Sequence, residues 1–289
     1  MALRVGVIGG GQLARMMIAP AVELGLDLRV LAEDAGMSAQ LAATAVGDYR
    51  DIEVVRAFVK DVDVVTFDHE HVPQSVLRAL VAEGVAVHPG PDALQFAQDK
   101  LVMRARLAEL GVPQPDWAAV RDAGELQAFL DEHDGRGVVK TPRGGYDGKG
   151  VRVVRSSTDA QDWLAALDDG EALLIEELVP FVRELAQQVA RRPSGEVVAY
   201  PVVETVQRDG VCAEVIAPAP DSAGRIADLT ESIAVRIAEE LGVTGVLAVE
   251  LFQTDDERIL INELAMRPHN TGHWTIDGAT TSQFEQHLR

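Results

Sequence analysis

Apolar positions in the first ninety residues form short runs that alternate with stretches of helical spacing. The runs predict strands over residues 4–8, 26–31, 62–67 and 85–87. Between them, apolar side chains three and four positions apart predict helices after the glycines at 9–11, over 52–59 and over 74–82. Strands that alternate with helices are typical of a parallel sheet with right-handed crossovers. We therefore predict a first lobe over residues 1–90, ending where His88-Pro89-Gly90-Pro91 breaks the pattern.

The rest of the chain predicts two further lobes with a different pattern. A single helix over 92–110, closed by Gly111, opens a second lobe over residues 91–168. That lobe has predicted strands over 138–140 and 151–154 and a helix over 159–167. The third lobe, residues 169–289, is predicted to be mainly antiparallel, with one long helix over 226–241 and strands over 172–175, 184–190, 197–203, 246–252 and 258–264. The predicted fold class is α/β followed by α+β.

The charge balance narrows the possible partners. The 289 residues include 46 Asp and Glu against 26 Lys and Arg, a net charge of −20. Such a surface repels nucleic acids and anionic membranes, so we expect neither as a partner, and an anionic ligand requires a local basic site. The single cysteine, Cys212, excludes an internal disulfide. Because the sequence shows no signal-peptide pattern and no apolar run of membrane-spanning length, we expect a cytoplasmic protein.

A glycine turn follows the first strand. Gly9-Gly10-Gly11 precedes a helical pattern, and Glu33 and Asp34 lie about twenty residues further on, as in a dinucleotide-binding fingerprint. Glycine N–H groups at a helix N-terminus also hold other phosphates, and the same turn is found where nothing binds. The turn alone leaves nicotinamide binding, another phosphate ligand and a structural role open.

The loop from Gly144 to Gly150 has a more specific composition. It joins two strands, and its four glycines allow backbone N–H groups to close over phosphates while Lys149 supplies a charge. Lys140 ends an apolar strand, where an ammonium group is costly to bury without an anion. We interpret the two lysines as phosphate ligands. An ordinary hairpin tip and a lysine that extends to solvent are the alternatives.

Carboxylates end or interrupt three apolar strands. Glu250 and Glu263 lie in strands joined by a short turn, and a pairing of Glu250 with Ile261 and of Ala248 with Glu263 puts both carboxylates on one face. Oxygen ligands of this kind, with Asn262 as a further candidate, suit magnesium bridging nucleotide phosphates. The alternatives are that arginines pair with the two carboxylates or that a raised pKa keeps them neutral. The edge after 173–175, at Glu176 to Val179, resembles a hinge whose backbone can pair with adenine, and Glu184 is a candidate acceptor for ribose hydroxyls. A solvated turn is the alternative.

A polar segment follows the second carboxylate strand. Arg267, His269, Asn270 and His273 place a cation, two imidazoles and an amide within seven positions. Metal ligation by the histidines is possible, but no matched His and Cys set accompanies them. We therefore favour anion binding by this segment over a metal site or a purely structural loop.

These motifs together resemble a known family. The glycine loop GGYDGKG, the hinge IEELV and the glutamates of AVELF and INELA occur in the order typical of the ATP-grasp superfamily. The strings GVIGGGQLARM and INELAMRPHNTGHWTIDGATTSQFEQHLR resemble the N5-carboxyaminoimidazole ribonucleotide synthetases within it, and the resemblance covers Val5 to Arg289. It implies a Rossmann-like, biotin-carboxylase-like N-terminal domain followed by a two-lobed ATP-grasp module.

The resemblance also implies roles for individual residues. Catalytic roles fall to Arg267, Lys149 and Asp147, and magnesium to Glu250 and Glu263. The substrate site is lined by Gln12, Glu70, Tyr146, Arg267, His269, Asn270 and His273. ATP is bound by Lys100, Lys140, Gly145, Tyr146, Asp147, Gly148, Lys149, Gly150, Val151, Glu176, Glu177, Leu178, Val179, Glu184, Gln207, Asn262 and Glu263.

The activity implied is that of an ATP-dependent ligase in purine biosynthesis. Bicarbonate and 5-aminoimidazole ribonucleotide are the expected substrates, carboxyphosphate the intermediate, ATP and magnesium the cofactors, and a homodimer the expected assembly. Another ATP-grasp carboxylate–amine ligase, an NAD-dependent oxidoreductase built on the first lobe and a non-catalytic ATP-binding module are the alternatives. A dehydrogenase has no use for the pair Glu250 and Glu263 or for the glycine loop.

Four features depart from the family pattern. Gln207 replaces a nucleotide-contacting histidine, Met266 a proline, and Asp68 the first glutamate of a T-x-E-x-E segment. Family members continue into a small C-terminal domain that adds basic residues to the ribonucleotide site, whereas this sequence ends at Arg289. We expect ATP binding to survive that difference better than turnover.

Overall fold

The computed structural model describes residues 2–145 and 150–289, and its first lobe is built on a four-stranded sheet. The strands are β1 (Arg4–Ile8), β2 (Asp27–Ala32), β3 (Ala43–Val46) and β4 (Val64–Phe67), and the helices are α1 (Gln12–Glu23), α2 (Ile52–Val59) and α3 (Gln74–Ala82). The order is β3-β2-β1-β4 with every pairing parallel, which confirms the predicted sheet type. The pattern does not predict β3, whose residues are half-buried or exposed. The strand predicted over 85–87 is only an isolated bridge between Val87 and Val65.

Asp99 separates two helices between the first and second lobes. The single helix predicted over 92–110 is wrong, because the structure has α4 (Pro91–Gln98) and α5 (Lys100–Glu109). Asp99 is extended, with φ −134° and ψ 110°, and its Oδ1 accepts hydrogen bonds from the N–H groups of Leu101 and Val102. An aspartate in this position replaces the bonds that a helix start lacks. The break ends α4 and begins a new helix, α5, whose first turn contains Lys100.

The second lobe is an antiparallel sheet with helices on one side. It contains β5 (Trp117–Val120), β6 (Gly137–Lys140), β7 (Val151–Val154) and β8 (Leu173–Glu177), with α6 (Ala123–Glu132) and α7 (Gln161–Ala165). The order is β5-β8-β6-β7. We expected the strand over 172–175 in the third lobe, and this is wrong: β8 pairs with β5 and β6. Its apolar side chains pack against Leu126 and Phe129 of α6, a partner that the local pattern does not reveal.

The third lobe carries the longest strands. They are β9 (Phe181–Arg191), β10 (Val197–Ala199), β11 (Val203–Arg208), β12 (Val211–Ile216), β13 (Gly245–Thr254) and β14 (Ile259–Ala265), and the helices are α8 (Arg225–Glu240), α9 (Thr275–Gly278) and α10 (Gln283–Leu288). The order is β12-β11-β9-β13-β14, with β10 on β9, and all pairings are antiparallel. The strand predicted over 197–203 is divided between β10 and β11. β14 is the edge strand beside α5.

Shared apolar packing joins the first and third lobes. One buried cluster contains Phe67 and Leu94 from the N-terminal side together with Val249 and Ile261 from β13 and β14. A second cluster packs Phe284 of α10 among side chains of α1, β1 and β2. The first and third lobes therefore present their loops to one cleft. In the described residues, no helix is long and apolar enough to cross a membrane.

Candidate active site

A cleft of about 480 Å³ lies where the three lobes meet. Most of the residues predicted for the site line it. Outside the lining are Gln12, Gly150 and His273, and the predicted Tyr146, Asp147, Gly148 and Lys149 lie outside the residues that the structure describes. The predicted residues that line the cleft are Glu70, Lys100, Lys140, Gly145, Val151, Glu176, Glu177, Leu178, Val179, Glu184, Gln207, Glu250, Asn262, Glu263, Arg267, His269 and Asn270.

The two predicted metal carboxylates lie directly opposite each other in the hairpin of β13 and β14. Glu250 pairs with Glu263, so the pairing of Glu250 with Ile261 predicted from the sequence is wrong. On the turn side Leu251 pairs with Ile261, which leaves Asn262 as the extra residue of a β-bulge. Had the turn-side register continued, Glu250 would face Asn262 and Glu263 would point to the other side of the sheet. The bulge brings both carboxylates to the cleft.

Glu250 lies in an environment that disfavours its charge. Burial, followed by the charges of Glu263 and Glu184, raises the pKa of Glu250 to about 8. Burial also raises the pKa of Glu184, against a hydrogen bond from Gln207. A buried glutamate whose pKa is raised by neighbouring carboxylates is typical of a site where a cation would balance the charge. In the part of the chain that is described, no three His, Cys, Asp or Glu side chains form a complete metal cage.

Lys140 and Glu176 form a buried ion pair at the second-lobe wall. Lys140 Nζ lies 2.7 Å from Glu176 Oε2 and donates to Asn262 Oδ1 at 3.1 Å. Glu176 Oε1 accepts from Arg104 Nε at 2.7 Å, so both carboxylate oxygens are engaged. Burial would raise the pKa of Glu176, but the charges of Lys140 and Arg104 outweigh it and the pKa is lowered. Glu176 therefore holds Lys140 in place.

Two basic residues of α5 reach the carboxylate hairpin. Lys100 Nζ lies 2.8 Å from Glu263 Oε1. Arg104, one helical turn later, is fully buried and contacts the backbone of β14. The sequence interpretation missed Arg104. Arg104 follows Lys100 by four positions, which puts both side chains on one helix face. That spacing indicates that Arg104 lies on the same side of α5 as Lys100.

Arg267 connects the third lobe to the first. Its Nε donates to Glu70 Oε2 at 2.7 Å, and both side chains are largely buried. Burial alone would lower the pKa of Arg267, but the charge and hydrogen bond of Glu70 raise it. Gln12, on α1, donates to Asn270 Oδ1 at 3.4 Å across the same junction. The first lobe thus supplies Glu70 to this wall of the cleft, whereas Gln12 lies outside the lining.

The two histidines of the polar segment share one partner, Gln283. Its Nε2 donates to the carbonyl of His269 at 2.8 Å and lies 2.9 Å from His273 Nδ1, while its Oε1 accepts from the N–H of His269 at 2.8 Å and from Gln188 at 2.7 Å. Because an amide N–H can only donate, His273 Nδ1 is the acceptor and Nε2 carries the proton. Burial, then Arg267 and His273, lower the pKa of His269 to about 3. Both rings are neutral hydrogen-bonding groups rather than cations.

The glycine turn after β1 is already filled by carboxylates. Gly10 N–H donates to Glu33 Oε2 at 3.0 Å, and the N–H groups of Gly11 and Ala14 donate to Asp68 at 2.9 and 2.7 Å. A Cβ at Gly11 would lie 2.1 Å from Asp68 Oδ2, so this carboxylate requires glycine there. A pyrophosphate needs these same N–H groups. The geometry argues against a dinucleotide and gives Asp68 a structural role at the start of α1.

The other two departures differ in consequence. Met266 is fully buried in the apolar core, away from the cleft. Gln207 lines the cleft and hydrogen-bonds to Glu184, and its contact with a nucleotide stays a prediction.

Comparisons with known proteins agree with this arrangement. The ATP-grasp domain family matches residues 105–284, and the ribonucleotide synthetase preATP-grasp domain family matches residues 1–98. The N5-carboxyaminoimidazole ribonucleotide synthase of Mycobacterium bovis is 54% identical over 288 residues, which are 99% of this chain and 67% of that protein. That of Corynebacterium ammoniagenes is 50% identical over 292 residues, 99% of this chain and 71% of that protein.

Solved structures give the same result. N5-carboxyaminoimidazole ribonucleotide synthetase from Thermus thermophilus superposes with a TM-score of 0.90 at 37% identity, over 99% of this chain and 77% of that one. The synthase from Aspergillus clavatus, in complex with ADP and 5-aminoimidazole ribonucleotide, superposes with a TM-score of 0.89 at 32% identity, over 100% of this chain and 76% of that one. In sequence, fold and cleft, the chain belongs to the N5-carboxyaminoimidazole ribonucleotide synthase family of ATP-grasp enzymes.

Proposed function

We propose that this chain is an ATP-dependent ligase that carboxylates 5-aminoimidazole ribonucleotide to N5-carboxyaminoimidazole ribonucleotide, with bicarbonate as the carbon source, in purine biosynthesis. One observation carries the proposal. Glu250 and Glu263 face a cleft that also receives Lys140 from the second lobe and Arg267, which is paired with Glu70 of the first lobe. Carboxylates for a metal, a buried lysine for phosphates and an arginine at the junction are the groups that ATP-dependent acyl-phosphate formation requires.

ATP binding is proposed for the side of the cleft between the second and third lobes. Lys140 and Lys100 supply positive charge, the backbone at Leu178 and Val179 lines the space for the base, and Glu184 accepts from ribose. Magnesium fits the opposed, oxygen-only pair of Glu250 and Glu263, with the amide oxygen of Asn262 nearby. When bound there, the ion neutralises charge on the nucleotide phosphates.

The reaction proceeds in two displacements. An oxygen of bicarbonate attacks the γ-phosphorus, the bond to the bridging oxygen breaks, and ADP leaves as carboxyphosphate forms. The exocyclic amine of the ribonucleotide then attacks the carboxyl carbon, phosphate leaves with the bond electrons, and the amine loses a proton. Arg267, at the junction of the lobes, is proposed to face the charge that develops in the first step.

The ribonucleotide is proposed to lie against the first lobe. Glu70, Gln12 and Asn270 meet there, and His269 and His273 are neutral and fixed by Gln283. Neutral imidazoles and amides orient a polar ligand by hydrogen bonds without the desolvation cost of further charges. Roles for Tyr146, Asp147 and Lys149 stay predictions, as do the homodimer and the cytoplasmic location.

The test is ADP release measured with bicarbonate and the ribonucleotide added separately and together. The proposal predicts release that requires bicarbonate and is fastest when the ribonucleotide is also present. Release that needs a different amine and ignores the ribonucleotide would indicate another carboxylate–amine ligase. ATP binding without any ADP release would indicate a non-catalytic module.

A thermal-shift experiment separates the oxidoreductase alternative. A ligand that binds only the folded state raises the melting temperature. We expect Mg-ATP to do so and NAD and NADP to have no effect, because Glu33 and Asp68 occupy the glycine turn. Stabilisation by NAD alone would favour the oxidoreductase.

A further inference from the structure

Arg104 makes an unusual set of contacts for a side chain with no solvent exposure. Its guanidinium donates from Nε to Glu176 Oε1 at 2.7 Å, from Nη1 to the carbonyl of Ile261 at 2.7 Å and from Nη2 to the carbonyl of Asn262 at 2.8 Å. All three bonds are short and charge-assisted. The group connects α5, the end of β8 and the edge strand β14.

The carbonyls of Ile261 and Asn262 connect the Arg104 guanidinium to the position of the metal carboxylates. Successive carbonyls of a regular strand point to opposite sides, yet Ile261 and Asn262 both direct theirs to the same side. The chain has rotated at Asn262, which is the extra residue of the β-bulge. Ile261 is held on the same side by a second bond, from its N–H to the carbonyl of Pro113 at 3.0 Å.

The bulge in turn sets the direction of Glu263. Without it, the turn-side register places Asn262 opposite Glu250, and Glu263 turns to the far face of the sheet. A buried carbonyl that points away from its ladder needs another donor. Arg104 is the side chain that supplies it for Asn262.

We propose that Arg104 is a positioning residue for the magnesium site, which it maintains by holding the β-bulge that puts Glu263 beside Glu250. The proposal rests on the proposed function, since it concerns the metal pair of that site. Arg104 also anchors Glu176, the carboxylate that holds Lys140. One guanidinium therefore sets the spacing between the phosphate lysine and the metal carboxylates. A lysine at this position has no planar fork and cannot reproduce the three bonds together.

The test measures metal binding without turnover. Mn²⁺ binding is followed by electron paramagnetic resonance in the presence of a non-hydrolysable ATP analogue, for the parent chain and for Arg104→Met and Arg104→Lys. We expect Mn²⁺ affinity to fall by about 10- to 100-fold in Arg104→Met, the range seen when a residue that orients metal ligands is lost. Arg104→Lys should lie between this variant and the parent, and amide hydrogen exchange over residues 259–265 should be faster in both.

Two controls make the outcomes distinguishable. Met17→Ala creates a cavity in a separate apolar cluster of the first lobe, away from the hairpin, and should lower stability while leaving Mn²⁺ affinity unchanged. Glu250→Gln should weaken Mn²⁺ directly. Parent-like Mn²⁺ affinity in folded Arg104→Met would refute the role of Arg104. If Arg104→Met does not fold, parent-like affinity in Arg104→Lys decides against it instead. Unchanged affinity in Glu250→Gln would overturn the metal assignment itself.

Discussion

Replacing Arg267 by alanine is expected to abolish phosphoryl transfer while most of the protein stays folded. Arg267 lines the cleft, and its one ion pair among the described residues joins Nε to Glu70 Oε2 at 2.7 Å. The substitution therefore removes a cation from the junction and leaves Glu70 without its partner. These two losses have different sizes and different readouts.

The stability cost follows from the exposure of the pair. The side chains of Arg267 and Glu70 are 22% and 13% exposed. Breaking a fully buried pair costs about 3–5 kcal/mol and an exposed one about 0–1 kcal/mol, so we expect about 2 kcal/mol here. In a chain of this size that lowers the melting temperature by about 4–8 °C. The catalytic loss should be larger, about 100- to 1,000-fold in kcat, as for removal of one transition-state donor.

The assay combines melting temperature with bicarbonate-dependent ADP release per folded molecule. Glu70→Gln serves as the matched control, because it weakens the same ion pair and keeps the arginine. If Arg267 acts only through Glu70, the double variant should be no slower than Glu70→Gln. If it acts on the developing charge, the double variant should be as slow as Arg267→Ala. Parent-like turnover per folded Arg267→Ala molecule would refute a catalytic role.

Three further predictions concern other parts of the site. Glu263→Gln should lower ADP release by about 100-fold or more, with a smaller effect on ATP binding measured by equilibrium dialysis. Gln283→Leu should raise KM for the ribonucleotide about tenfold or more and leave KM for ATP nearly unchanged, since Gln283 orients His269 and His273; equal changes in both constants would contradict this. Burial lowers the pKa of His287 to about 4, so folding favours the neutral ring; its contribution is present above the unfolded pKa of about 6.5 and is lost as the pH falls towards 4. Denaturant titration at pH 7.5 and pH 5 should therefore show a loss about 2 kcal/mol smaller in His287→Gln than in the parent, and equal losses would argue against the buried neutral histidine.

The fold was predictable wherever a local pattern determines it. Strands that alternate with helices predicted the parallel sheet of the first lobe, and β7, α2 and α3 begin and end where the spacing indicates. The placement of β8 was not predictable from its own residues, because its partners β5 and β6 are distant along the chain. The break at Asp99 depends on a side chain that accepts hydrogen bonds from the backbone N–H groups two and three positions later, within an otherwise helical pattern.

The site was predictable in its residue types but not in its geometry. Paired glutamates in apolar strands indicated a cation site, and the structure brings Glu250 and Glu263 together. The register was wrong because a bulge depends on what satisfies the rotated carbonyl, here the buried Arg104 from another lobe. Nothing in the local sequence distinguishes Gln283 from an ordinary helix residue. Its role follows from the four hydrogen bonds of its side chain, which only the structure shows.

Isotope transfer from bicarbonate tests the central claim most directly. The chain is given ATP, the ribonucleotide and bicarbonate labelled with ¹⁸O, and the inorganic phosphate released is analysed by mass spectrometry. Because a bicarbonate oxygen attacks the γ-phosphorus, the account predicts one ¹⁸O atom in each phosphate. Phosphate that carries no label from bicarbonate would show that water attacks ATP instead, and would contradict carboxyphosphate formation in this cleft.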